Sequence, residues 1–193
     1  MVLVVFLIAV VSIGVYAYVS SLPPSIEYAK LNTSKGLIEI ELYRSQTPIT
    51  VDNFVTLAKS GFYTNLTWHR VSKAGVFVIQ TGDPTSKNAG GNNNTWGQHG
   101  SSQTIPLEID SSLHNYAGYV GMARGNDNNS ASSQFYISSA DNTSLDGRYA
   151  VFAKVISGMD VVTAIASVPI YNPPDGQPIT PVFLTSVVIS TAP

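Results

Sequence analysis

The chain has 193 residues, a formal net charge of -2 and only 11% charged side chains, which suits one domain with a short appendage. It holds no basic run, which argues against nucleic-acid binding driven by phosphate neutralisation. With no cysteine, disulfides and thiol chemistry are excluded, and the redox compartment is not legible.

In chain order, Val2 to Val19 carries no charge, and Ser12 and Gly14 are its only residues that are not plainly apolar. As a helix those residues would span roughly 27 Å, just enough for a bilayer core. No Lys or Arg precedes the run, and Ala17-Tyr18-Val19 is a poor cleavage site, so an uncleaved anchor over 1–19 is favoured over a cleaved signal peptide or a buried helix. Residues 20–25 then read as a linker, stiffened by Pro23-Pro24, ahead of a domain over 26–193. Charge says little about orientation, because the first lysine is Lys30. Glycosylation-type triplets beginning at Asn32, Asn65, Asn93, Asn128 and Asn142 lean toward an external domain, or a secreted one if the segment is cleaved.

Ile38-Glu39-Ile40-Glu41-Leu42 alternates with the period of a half-buried strand. Thr50 is placed to cap a helix whose apolar face is Val51, Phe54, Val55 and Ala58, and Gly61 closes it. Val76 to Ile79 reads as a buried strand, and Thr85 to Gln103, rich in Gly, Asn and Ser, as loop. Strands are expected at Tyr119–Ala123, Gln134–Ser138, Val151–Val155 and Val182–Ser190, and a helix from Met159 to Ala166. The pattern is mainly β, a sandwich or barrel with helices covering its openings.

Two segments about fifty residues apart carry the chemistry. Trp68-His69-Arg70-Val71 runs on to Val76-Phe77-Val78-Ile79-Gln80-Thr81-Gly82-Asp83, and Gly121-Met122-Ala123-Arg124 precedes Ser133-Gln134-Phe135-Tyr136-Ile137. They supply arginine that keeps its charge (Arg70 and Arg124), two glutamines and large apolar side chains, in no arrangement that looks like a nucleophile or a general base. Such a set suits a site that grips an apolar ring and polarises an amide. The three histidines, His69, His99 and His114, are widely spaced without cysteine partners, so no metal is expected. Gly90-Gly91 lacks the context of a phosphate loop, and no cofactor is expected.

In this order and spacing the segments resemble the cyclophilin family of peptidyl-prolyl cis-trans isomerases. The likeness runs from about Tyr28 to Ile189 and takes in Thr33-Ser34-Lys35-Gly36, Pro48 through Phe54, Gly61-Phe62-Tyr63 and Leu145-Asp146-Gly147. It implies a closed eight-stranded antiparallel β-barrel capped by two α-helices, here with an added N-terminal hydrophobic helix. It also implies an enzyme that accelerates X-Pro isomerisation and assists protein folding, acting on proline-containing polypeptides as a monomeric domain.

Site residues follow from the same resemblance. Arg70 matches the catalytic arginine, Gln80 the glutamine that positions it, and Phe135 the wall of the proline pocket. Phe77, Met122 and Leu145 match further pocket positions, and Ala123 and Gln134 those that hold the residues before proline. Tyr149 stands where many members carry histidine. Four departures stand out: two additional residues between Arg70 and Phe77, which suggest a bulge or loop at Ser72–Gly75; Tyr136 for a second pocket Phe; Thr81 for a turn glycine; and Ser144 for a tryptophan that binds cyclosporin. Two other readings compete with the enzyme: a proline-peptide-binding chaperone or scaffold of weak turnover, and a glycosylated structural domain.

Overall fold

The computed structural model describes residues 26–88 and 93–193. The apolar segment at 1–19 and its linker lie outside the described residues, as does the Gly90-Gly91 pair. Among the described residues no helix is long and apolar enough to cross a membrane.

β1 (Glu27–Thr33) and β2 (Gly36–Leu42) form a hairpin in which Ala29, Leu31, Ile38, Ile40 and Leu42 face the core. The residues between them point outward, where Lys30 pairs with Glu39 at 3.2 Å, as the two-residue period of a strand requires. After helix α1 (Pro48–Lys59) come β3 (Leu66–Thr67), β4 (Arg70–Ala74) and β5 (Val76–Thr81). β6 (Tyr119–Met122), β7 (Phe135–Ser138) and β8 (Val151–Ser157) follow, then helix α2 (Met159–Ala166), the short β9 (Asp175–Gly176) and β10 (Phe183–Ser190). The strands make one sheet in the order β3-β10-β1-β2-β8-β6-β7-β5-β4-β9, antiparallel at every pairing.

The sheet curls and carries two helices, so the coarse expectation holds. The strand count differs for a local reason. Leu66 to Ala74 is one run of chain that changes partners midway: Leu66 and Thr67 pair with β10, whereas Arg70 onward pairs with β5. Trp68 and His69, between the two halves, are buried, and Trp68 donates its backbone N–H to Val182 at 2.8 Å. The strand is therefore split, and the two-residue β9 adds an edge.

Helix α1 departs from the expected start. Pro48 occupies the first turn, where a missing N–H costs nothing. Thr50 is not the cap but is itself capped. The Glu108 carboxylate accepts from the backbone N–H of Ile49 (3.1 Å) and Thr50 (2.6 Å) and from the Thr50 hydroxyl (2.7 Å). Val51, Phe54, Val55 and Ala58 from α1 and Val161, Val162 and Ile165 from α2 enter the same core.

The additional residues before Phe77 form neither bulge nor loop. They lengthen the β4–β5 hairpin in register from Arg70↔Gln80 to Ala74↔Val76. Gly75 turns at the tip with φ +73°, a conformation other residues adopt at a cost.

Candidate functional site

The β4–β5 register places Arg70 directly opposite Gln80. The Arg70 Nη1 donates to Gln80 Oε1 at 3.1 Å, and Gln80 Nε2 donates to Gln134 Oε1 at 2.8 Å. Gln134 Nε2 in turn donates to the carbonyls of Gly97 (2.9 Å) and His99 (2.6 Å). These bonds tie the guanidinium to the loop at 97–99. That loop is anchored by the buried Asp83, whose Oδ2 accepts from Gly97 N at 2.7 Å and His99 N at 3.1 Å. Burial works to raise the Asp83 pKa, but hydrogen bonds from Thr85, His99 and Gly97 outweigh it and hold the carboxyl below its ordinary range.

Beside Arg70 lies a recess of about 210 Å³. Val76, Val78 and Gln80 line one side, Leu145 and Tyr149 another, and Ala123, Arg124 and Tyr136 complete it. Tyr136 fits because Gly121, its partner across the β6–β7 ladder, has no side chain; a Cβ there would collide with the Tyr136 ring. The Tyr136 hydroxyl, otherwise stranded by burial, donates to Asn115 Oδ1 at 2.7 Å. Asn115 then donates from Nδ2 to Asp146 Oδ1 at 2.9 Å, and Asp146 Oδ2 meets His114 Nδ1 at 2.9 Å. This network anchors the turn that presents Leu145. Arg124 stacks 4.9 Å above the Tyr149 ring, which fixes the opposite wall.

A second recess, about 360 Å³, shares Gln80, Ala123 and Arg124 with the first and extends past Gln134 to Gly97–Gly100. Together they make a socket walled by Val76, Val78, Leu145 and two tyrosines, continuous with a channel toward Gly97–Gly100, with the Arg70 guanidinium on one side and Arg124 stacked on Tyr149 on the other. That arrangement can seat a ring, hold the adjoining backbone and donate N–H bonds to an amide. Among the described residues no group of His, Asp or Glu could hold a metal ion.

The structure brings Arg70, Gln80, Ala123, Gln134, Leu145 and Tyr149 around these recesses and leaves three expected residues out. Phe135 is fully buried and stacks edge-on against Phe54 at 5.5 Å and Trp68 at 6.0 Å; it is core. Met122 is also core, 1% exposed. Phe77 lies 40% exposed and lines no part of the recess. All three corrections have one cause, because strand side chains alternate between faces. Gln80 faces the site, so Val78 and Val76 do too, and Phe77 cannot. Gln134 faces the site, so Tyr136 does and Phe135 does not. Counting by twos from the glutamines would have found Val76, Val78 and Tyr136 in the sequence. Asn142, which begins one of the glycosylation-type triplets, is buried, and its Nδ2 donates to the carbonyls of Phe77 (2.9 Å) and Ala140 (3.1 Å).

His69, immediately before Arg70, is buried beneath the site with no hydrogen-bond partner for either ring nitrogen. Burial lowers its pKa from 6.5 to about 4, outweighing the opposing pull of nearby Asp83 and of the Gln134 side chain, whose amide is committed to Gln80, Gly97 and His99 rather than to the ring. Between those values the unfolded chain takes up a proton that the folded protein refuses. Stability should therefore fall as pH falls from about 6.5 to 4, by about 3 kcal/mol from this residue. The Asp83 and Asp146 carboxyls, both held low, contribute stability that is lost only at more acidic pH, as pH falls through their lowered values. Denaturant unfolding at pH 7 and pH 4 should show the drop, and His69→Gln should shrink it. Equal pH sensitivity in both proteins would show that the ring does not titrate this way.

Comparison with known proteins came to the same place. Residues 28–189 match the family model described as cyclophilin type peptidyl-prolyl cis-trans isomerase/CLD. A peptidyl-prolyl cis-trans isomerase from Acinetobacter baylyi is 38% identical over 169 residues, covering 84% of this chain and 85% of that protein. A peptidyl-prolyl cis-trans isomerase-like 2 from Rhizopus delemar is 40% identical over 145 residues, and there the chain spans only 25% of the relative's length. A Cryptosporidium parvum cyclophilin type peptidyl-prolyl cis-trans isomerase superposes with TM-score 0.73 at 28% identity, covering 87% of this chain and 99% of that one. The same protein was also solved in the presence of the dipeptide Ala-Pro, with TM-score 0.71.

Proposed function

The chain belongs to the cyclophilin-type peptidyl-prolyl cis-trans isomerases, and on that footing we propose that it turns over X-Pro bonds with Arg70 as its catalytic residue. One observation carries this assignment: a guanidinium oriented by Gln80 stands beside a recess in which Val76, Val78, Leu145 and the Tyr136 ring offer apolar walls. Planar amide resonance opposes rotation by about 18–20 kcal/mol. Twisting the C–N bond localises the lone pair on the proline nitrogen and makes it a better acceptor. An N–H donor that meets this nitrogen strengthens its bond as the twist develops, which lowers the barrier rather than merely tightening binding. Arginine suits the role because it stays charged and holds its donors in a rigid fork.

The ring would sit among Val76, Val78, Tyr136 and Leu145, and the residues before proline would run toward Ala123 and Gln134. We read the curled sheet as an eight-stranded barrel closed by the run Leu66–Ala74 itself, with the groove on its outer wall. From the sequence argument alone, the domain is proposed to assist protein folding outside the cytoplasmic membrane, tethered by residues 1–19.

A protease-coupled assay with an Ala-Pro peptide tests the isomerase reading. Saturable acceleration without metal or nucleotide is expected. A protein that bound the peptide without accelerating exchange would be a binding module instead. For the tether, membrane-derived protein should resist carbonate extraction and keep its first residues by intact mass. A mature N-terminus near Ser20 would rule it out.

A further inference from the structure

On the far side of Arg70 from the socket is a third recess, about 340 Å³, where Asp175 stands beside Gly176 and Gln177. Asp175 comes from β9, which pairs with β4 next to the catalytic position, at Ser72↔Asp175. Its carboxylate takes the side of the guanidinium that faces away from Gln80. Arg70 Nε donates to Oδ1 at 2.9 Å and Oδ2 at 3.2 Å, and Nη2 donates to Oδ2 at 2.6 Å.

We infer that Asp175 is a positioning residue for the isomerase reaction, setting the plane of the Arg70 guanidinium. The inference rests on the assignment of Arg70 above. A lone bond from Nη1 to Gln80 would let the planar group pivot. A two-oxygen fork on the Nε edge removes that freedom, because guanidinium and carboxylate match in planar geometry. Of the five N–H groups on an arginine, three are then committed: one on Nε, one on Nη2 and one on Nη1. One on each terminal nitrogen remains for the substrate, held at a fixed angle. Pairs this exposed, with side chains 38% and 40% accessible, stabilise a fold little. The pair's effect is therefore on the direction of the donors, where small misplacements are costly to rate.

Asp175→Ala should lower kcat for the Ala-Pro peptide about tenfold with KM and melting temperature unchanged, and Asp175→Glu should recover part of the loss. In an Arg70→Ala background, Asp175→Ala should have no further effect. The Arg70 Nε–H resonance should be resolved and protected from exchange in the full chain, lost in Asp175→Ala and retained in Asp175→Glu. An equal loss in the Arg70→Ala background, a raised KM with a lowered melting temperature, or a faster Asp175→Ala enzyme would each overturn the positioning role. Absence of turnover in the unmodified protein would instead sink the isomerase assignment, and the Nε–H resonance would still decide whether Asp175 orders the guanidinium.

Discussion

Arg70→Ala should lower kcat/KM for an Ala-Pro peptide by roughly 100–1,000-fold, the range found when one preorganised donor is removed from a charge-stabilising site. The fold should survive, because the side chain is 38% exposed and lies outside the core. Its loss leaves Gln80 still bonded to Gln134 at 2.8 Å and frees Asp175 into solvent. Arg70→Lys should recover little. A lysine keeps the charge but cannot reach Asp175 and Gln80 at once with two separate nitrogen edges. Steady-state kinetics beside a thermal melt separates these outcomes. Activity close to that of the unmodified protein in both variants would show that the guanidinium is not the donor.

Phe135→Ala should be the most destabilising single change described here, costing about 3–5 kcal/mol and lowering the melting temperature by on the order of 10 °C in a domain of this size. The ring is fully buried and makes edge-on contacts with Phe54 at 5.5 Å, Tyr63 at 5.5 Å, Trp68 at 6.0 Å and Phe152 at 6.5 Å. Removing it opens a cavity that helix α1, through Phe54, and the split strand, through Trp68, cannot both collapse into. The folded fraction at low temperature should nevertheless keep a near-normal KM, since Tyr136 rather than Phe135 lines the recess. Tyr136→Ala should show the reverse emphasis, with KM raised more per unit of stability lost. If Phe135→Ala instead raised KM while leaving the melt unchanged, the assignment of the two faces of β7 would be inverted.

The sequence by itself determined the chemistry available to this protein. Its weakly charged, cysteine-free composition and its strand periodicities bound the fold class, and the two motif segments, through their resemblance, name the family and place Arg70, Gln80, Ala123, Gln134, Leu145 and Tyr149 at one site. Those residues lie in short runs whose spacing is local, so a linear pattern carries them. Which face each neighbour takes was also present, in the parity of positions along β5 and β7, although motif matching alone assigned Phe77, Met122 and Phe135 to the wrong side. Other features depend on chain paths that no local pattern encodes. Glu108 caps a helix 58 residues away, and the Tyr136 hydroxyl finds Asn115, 21 residues away. Asp175 reaches Arg70 across 105 residues because the β9–β4 ladder brings a late turn alongside an early strand. Only tertiary structure decides such contacts, because each polar group takes whatever partner the curled sheet brings within hydrogen-bonding distance, and that distance is set by register and topology rather than by sequence separation.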